Sequence, residues 1–202
     1  ATLTAGVVPL TGVPALQTAG YLAISGAVTV RAHALGAHAN ALLNVPNGDI
    51  NTAGMTVDAS AAQSESTLTM QAGSTRLGSE NRKLNVAPGK VTVSGDMQVQ
   101  ANGAESVASV LASSANDTLS FGGSLNLIAS GAGGRAMLEA RASSAYTEAE
   151  TLDNPPAGAK LAVAGGVSAV ASNARAQAGA SLSSEMDDLR IGGILKLLAS
   201  GE

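Results

Sequence analysis

Apolar and polar side chains alternate along most of the chain with a period of two residues. Between Leu22 and Ala32, for example, apolar or small residues take every second position, while Thr29 and Arg31 lie between them. This is the period of a β-strand, because successive side chains of a strand point to opposite faces. Apolar residues at the three- and four-residue spacing of a helix do not persist. The pattern predicts an all-β protein with a solvated outer face, whose polar positions include Thr29, Arg31, His33, Gln98, Gln100, Asn126, Glu139, Arg141 and Gln177.

The alternating segments are copies of one repeat. Copies begin near residues 22, 50, 91, 119, 161 and 189, so the step alternates between 28 residues and 41 or 42 residues. The copy that begins at residue 50 is one residue shorter after Gly54, and the last copy has Gly193 at the shared glycine position. We therefore assign residues 22–202 to a β-repeat array. Residues 1–21 form an N-terminal segment or a preceding incomplete repeat.

A repeat of this length cannot bury its apolar face alone and must stack on its neighbours. A parallel β-solenoid of about six units is the preferred architecture, and stacked antiparallel β-hairpins are the alternative. In the solenoid, equivalent residues lie about 4.8 Å apart and form ladders. The apolar ladder is Val28, Met55, Met97, Leu125, Val167 and Leu195, and the alanine ladder is Ala32, Ala59, Ala101, Ala129, Ala171 and Ala199. A glycine ladder marks a bend that needs positive φ or close backbone approach: Gly26, Gly54, Gly95, Gly123, Gly165 and Gly193.

Composition narrows the function classes. The 202 residues include one Phe, two Tyr and no Trp, so a conventional core filled by aromatic side chains is excluded. A net charge of −4 gives no electrostatic case for nucleic acid, and the absence of cysteine removes disulfides and thiol chemistry. No apolar run approaches the roughly 18 residues of a membrane span. The first residues lack a signal-peptide pattern and a Met, which predicts a mature piece or an internal fragment.

The repeats resemble those of filamentous-haemagglutinin-like large exoproteins, the bacterial adhesins of the two-partner secretion type. The segments that carry the resemblance are Val91–Ala101, the Gly-Gly-x-Leu-x-Leu phrase at 122–127 and the Ala-x-Ala pattern after each copy. The resemblance covers roughly residues 20–202 and implies a right-handed parallel β-helix. It also implies an extracellular or cell-surface filament that attaches cells to surfaces, to each other or to biofilm-matrix polysaccharide.

Few residues suggest chemistry, and each has a plainer interpretation. His33 and His38 flank the Leu35-Gly36 turn and could form a metal pair, but two surface histidines without a third ligand are more often solvated. Four aspartates at equivalent short turns could bind calcium, but turn capping is favoured: Asp49, Asp117, Asp187 and Asp188. Three acids lie in a long connection, where a solvated loop is favoured over acid–base catalysis: Glu148, Glu150 and Asp153. Asn116-Asp-Thr118 is a glycosylation sequon.

We therefore predict no catalytic, cofactor-binding or metal site, and no enzyme. The sequence favours a non-catalytic structural and adhesive segment that gives a rigid rod. Self-association into filaments and binding to a polysaccharide or a cell-surface receptor are the expected interactions, with no nucleic acid and no membrane span. The alternatives are a polysaccharide-degrading β-helix enzyme and the passive stalk of a toxin-delivery exoprotein.

Overall fold

A computed structural model describes residues 2–4, 20–77, 84–144, 159–185 and 187–201. These residues form an all-β structure, as predicted. The strands are β1 (Thr2–Thr4), β2 (Gly20–Ala32), β3 (His38–Val45), β4 (Gly48–Ala59), β5 (Glu65–Ala72), β6 (Ser74–Leu77), β7 (Leu84–Ala87), β8 (Val91–Val93), β9 (Met97–Ala101), β10 (Val107–Ala115), β11 (Leu119–Phe121), β12 (Leu125–Ala129), β13 (Arg135–Ser143), β14 (Leu161–Val163), β15 (Val167–Ala171), β16 (Gln177–Ser184), β17 (Leu189–Ile191) and β18 (Leu195–Ala199).

Two large parallel sheets contain nearly all of these strands. The six-stranded sheet has the order β1-β3-β5-β10-β13-β16. The ten-stranded sheet follows a nine-strand path, β17-β14-β11-β8-β4-β9-β12-β15-β18, and β2 pairs with β4 beside that path. The strands β6 and β7 form a separate antiparallel pair.

The predicted ladders are confirmed as Cα partners across neighbouring strands. Leu125 lies between Met97 and Val167, and the alternating burial of β12 places Leu125, Leu127 and Ala129 inside. The alanine ladder has the same register, with Ala129 between Ala101 and Ala171. Since side chains alternate between faces, this register places one row of side chains in the interior and the next in solvent.

The fold prediction itself requires correction. The sequence predicted a right-handed parallel β-helix of about six units, and this is wrong. The described strands form a nearly closed, barrel-like sheet of nine strands and a second parallel sheet. The path begins at β17 and ends at β18, which only residues 192–194 separate, so its two ends meet.

The physical reason lies in β4. The repeat pattern treats Gly54 as a bend between two strands, but β4 continues through it as one strand of 12 residues. Its first part pairs with β8 and its second part with β9, so two rows of strands join in one sheet. The hairpin alternative is also wrong, because both large sheets are parallel throughout the described residues.

For the sites below, we name the strand positions. First-position strands are β8, β11, β14 and β17; second-position strands are β9, β12, β15 and β18; third-position strands are β1, β3, β5, β10, β13 and β16. The long strands β2 and β4 each supply the first and second positions. A layer is the set of strands that the chain contributes in succession to the first, second and third positions.

Close backbone approach explains the glycine ladder. A Cβ on Gly95 would lie 2.4 Å from the carbonyl oxygen of Ala53 in the neighbouring layer, which is far inside van der Waals contact. Positive φ occurs instead at the turn before each third-position strand. Two of these residues are glycines, Gly36 and Gly133, and three are not: Gln63, Glu105 and Arg175.

The core lies between the two sheets. Large side chains such as Leu68, Met70 and Phe121 are fully buried there, and alanines fill the narrower parts. Buried serines satisfy their hydroxyls on nearby carbonyls. Ser66 Oγ, for example, donates to the carbonyl of Asp58 at 2.7 Å. Burying these polar groups therefore leaves their hydrogen bonds in place.

Candidate binding surface

The outer side of the six-stranded sheet is the broadest regular polar surface among the described residues. We call the outward side chains of β3, β5, β10, β13 and β16 the six-strand face. These strands have eight or nine residues, so each supplies four outward positions, whereas most first- and second-position strands have three or five residues. Two of its four rows are His38, Glu65, Val107, Arg135 and Gln177, and Asn44, Gln71, Ser113, Arg141 and Ser183.

Side chains of neighbouring layers contact one another along these rows. Thr67 Oγ1 and Ser109 Oγ lie 3.3 Å apart, and Arg135 Nε donates to Gln177 Oε1 at 3.2 Å. Such contacts join residues that are 42 positions apart in the chain. The hydroxyl, amide and guanidinium groups of this face are therefore held in a regular array by the backbone register.

The charges of the six-strand face are mixed. Arg135, Glu139 and Arg141 are exposed on successive outward positions of β13. Arg141 forms an ion pair with Glu185, while the only hydrogen-bond partner recorded for the Arg135 guanidinium in the described part of the chain is the neutral amide of Gln177. Arg135 therefore offers a cation to an anionic ligand at the centre of a row of neutral acceptors and donors.

The two histidines do not come together. His33 Nε2 lies 3.1 Å from Asp58 Oδ2, and His38 Nδ1 lies 3.1 Å from Glu65 Oε2. Each histidine thus bonds a different carboxylate of the next layer. Within the described ranges, no group of three or more His, Cys, Asp or Glu side chains could hold a metal ion.

Turn capping is confirmed for three of the four aspartates. Asp49 Oδ1 accepts the backbone N–H of Lys90 at 2.9 Å, and Asp117 Oδ1 accepts that of Thr118 at 2.6 Å. Asp187 Oδ1 accepts the N–H of Asp188 at 2.7 Å. The carboxylate of Asp188 instead pairs with Arg190. These bonds satisfy backbone donors at the turns, which is the usual role of Asp there.

Other residues singled out from the sequence have different outcomes. Glu148, Glu150 and Asp153 lie outside the described residues, as does the proline-containing connection at 154–158. Asn116 is half-buried, with φ of 53°, and its N–H donates to the carbonyl of Ser143 at 2.7 Å. Glycosylation at Asn116 stays a prediction.

A groove on the ten-stranded sheet was not predicted. It has a volume of about 520 Å³ and lies over Phe121, between Ser94 and Arg190. Small residues open it, since Gly122, Ala164 and Gly192 provide no bulky side chain. Its walls are mainly apolar, and the Ser94 hydroxyl already bonds the carbonyl of Thr52 at 3.2 Å. The glycines and alanines at outward positions were the sequence signal for this groove.

Comparisons with protein-family models, with curated proteins and with solved structures find no match for this chain. The described residues contain no helix that is long and apolar enough to cross a membrane. The candidate function therefore depends on the sequence pattern and on the geometry of the six-strand face.

Proposed function

We propose that the chain is a non-catalytic structural and adhesive segment of a large bacterial extracellular filament, of the filamentous-haemagglutinin-like kind. Its role is to present the six-strand face to a matrix polysaccharide or a cell-surface glycan receptor. The observation that carries the proposal is the in-register stacking of equivalent residues, which repeats the same outward positions from layer to layer.

The mechanism is repeated weak contact. Neighbouring layers are about 4.8 Å apart, so a polymer that lies across the strands meets similar donors and acceptors at each step. Asn44, Gln71 and Ser113 form one such row of amide and hydroxyl groups. A single contact of this kind is weak, but several contacts on one rigid surface raise the effective concentration for the next.

Rigidity comes from the sheet. In the centre of the six-stranded sheet, β10 pairs in parallel with β5 on one side and with β13 on the other. Its backbone groups are therefore fixed on both sides, and the outward side chains move little relative to one another. A preorganised surface loses less conformational entropy when it binds.

The test is capture of polysaccharide by the immobilised chain. Purified anionic and neutral bacterial polysaccharides are passed over the chain, and bound sugar is measured as a function of concentration. The paired substitution Arg135→Ser and Gln177→Ser alters the six-strand face. The matched control is Arg31→Ser and Gln98→Ser, which removes the same two side-chain types from the outer side of the ten-stranded sheet.

We expect the first pair to weaken binding of an anionic polysaccharide about tenfold or more, because an exposed cation is removed. The control pair should leave binding within about twofold. Equal losses in both pairs would contradict the assignment to the six-strand face. No binding by the unaltered chain would favour a passive stalk, and release of shortened sugar products would favour an enzyme.

A further inference from the structure

The last strands of both sheets leave apolar side chains and a pairing edge uncovered. Leu189, Leu195 and Leu197 are 46%, 58% and 69% exposed. Their partners one layer earlier, Leu161, Val167 and Ala169, are all buried. The contrast arises because β14 and β15 are each covered by a further strand, whereas β17 and β18 are the two ends of the nine-strand path.

The edge of β18 carries free pairing capacity. One layer earlier, the N–H of Val167 donates to the carbonyl of Ile194 at 2.9 Å. Leu195 is the register partner of Val167, so its N–H points away from β15 towards the open end. Unpaired edges of this kind are templates for the addition of another strand.

The opposite end of the molecule has the complementary form. In the part of the chain that the structure describes, β2 pairs with β4 alone. It carries Leu22, Val28 and Val30 at the positions that Leu189, Leu195 and Leu197 occupy at the other end. Each end therefore offers the same alternation of apolar and polar positions.

The third position strengthens this complementarity. The layer that contains β17 and β18 has no third-position strand among the described residues, where the sheet ends at β16. In contrast, β1 is a third-position strand, paired with β3, and no described first- or second-position strand precedes it in the chain. A β1 strand placed on β16 would complete the unfinished layer.

We propose that the occupant of this open end is a second copy of the chain, stacked head to tail. Its β2 pairs in parallel with β17 and β18, so that Leu22 lies beside Leu189 and Val28 beside Leu195. Its β1 pairs with β16, which places Leu3 beside Leu182 when the register of the sheet is extended by one layer. This interface is heterologous, so each added copy leaves a new open end, and the product is an open filament.

The charges permit this register. Lys196 would lie beside Thr29, and Arg190 would lie beside Ala23, so no like charges are directly opposed. The inference depends on the two ends and is independent of what the six-strand face binds.

The first test uses the absence of native cysteine. The double variant Thr29→Cys with Lys196→Cys places thiols on two outward positions that the proposal brings into direct register. Neighbouring strands are about 4.8 Å apart, which is within the Cα separation of about 4.4–6.8 Å for a disulfide. Mild oxidation should therefore give a ladder of covalent multimers. The matched control, Ala23→Cys with Lys196→Cys, is out of register and should remain at least about tenfold less cross-linked.

The second test measures mass in solution by sedimentation over a range of concentrations. The unaltered chain should shift from monomer to multimers as concentration rises. Leu197→Lys should weaken this association about tenfold or more, because it buries a charge without a partner. Met137→Lys, an equally exposed type of change on the side of the stack, should leave it within about twofold.

Three results would overturn the proposal. The first is a chain that stays monomeric at all concentrations, which would mean that a different segment or protein covers the open end. The second is equal cross-linking of the in-register and out-of-register pairs. The third is efficient cross-linking by Thr29→Cys alone, which would show a head-to-head contact.

Discussion

Single glycines at one repeat position differ sharply in what surrounds them. A Cβ on Gly95 would meet the carbonyl oxygen of Ala53 at 2.4 Å, whereas a Cβ on Gly26 would meet nothing within 4 Å. We expect Gly95→Ala to lower the free energy of unfolding by about 2 kcal/mol or more, since backbone must shift. Gly26→Ala should change it by less than about 0.5 kcal/mol. Urea unfolding of both variants checks this, and equal effects would contradict the close-approach explanation.

Residue identity predicted part of this pattern. The recurrence of glycine at Gly95, Gly123 and Gly165 indicated a backbone constraint, and the constraint is close approach between layers. The positive φ values at Gln63, Glu105 and Arg175 were not predictable, because these side chains carry no mark of a left-handed conformation. The stacked turn imposes that conformation whether or not the residue is glycine.

For the strands, position in the stack decides the value of a side chain. Leu125 in β12 is fully buried, and Leu195 in β18 occupies the same ladder but is 58% exposed. We expect Leu125→Ala to cost about 2–5 kcal/mol through the cavity it leaves. Leu195→Ala should cost less than about 1 kcal/mol at dilutions where the chain is monomeric. Urea unfolding measures both, and a comparable loss at Leu195 would mean that β18 is covered.

Backbone exchange provides a separate prediction for the same strands. The amides of β12 are paired on a strand with neighbours on both sides, whereas β17 and β18 have a neighbour on one side. Hydrogen exchange should therefore be slow in β12 and fast in β17 and β18, because edge strands open locally. Uniform protection across β12, β15 and β18 in the dilute monomer would contradict this gradient.

The elements themselves were predicted unevenly. The two-residue period and the repeat located the strands and their register, because both depend on local alternation. The continuity of β4 through Gly54 was not predicted, since a glycine in an alternating run is compatible with a bend or with an uninterrupted strand. That ambiguity produced the incorrect architecture. The six-strand face could be anticipated as polar, but its breadth depends on the length of β10 and β13.

At the scale of the whole molecule, equivalent layers should be exchangeable. Asn126 and Ser168 are register partners, so deletion of residues 126–167 joins Leu125 to Ser168 without changing the alternation of the strand. Deletion of residues 126–166 joins Leu125 to Val167 and moves Val167 to the outer face. A one-residue change of this kind transfers every following side chain of the strand to the opposite face.

We expect the protein that lacks residues 126–167 to fold, with one layer fewer, because each remaining layer still meets the same neighbour positions. The protein that lacks residues 126–166 should lose cooperative unfolding, since Ser168 and Val170 would have to enter the core. Circular dichroism and thermal unfolding compare the two. Failure of both proteins to fold would show that stability depends on contacts specific to the removed layer, and equal folding of both would show that the register does not determine the structure.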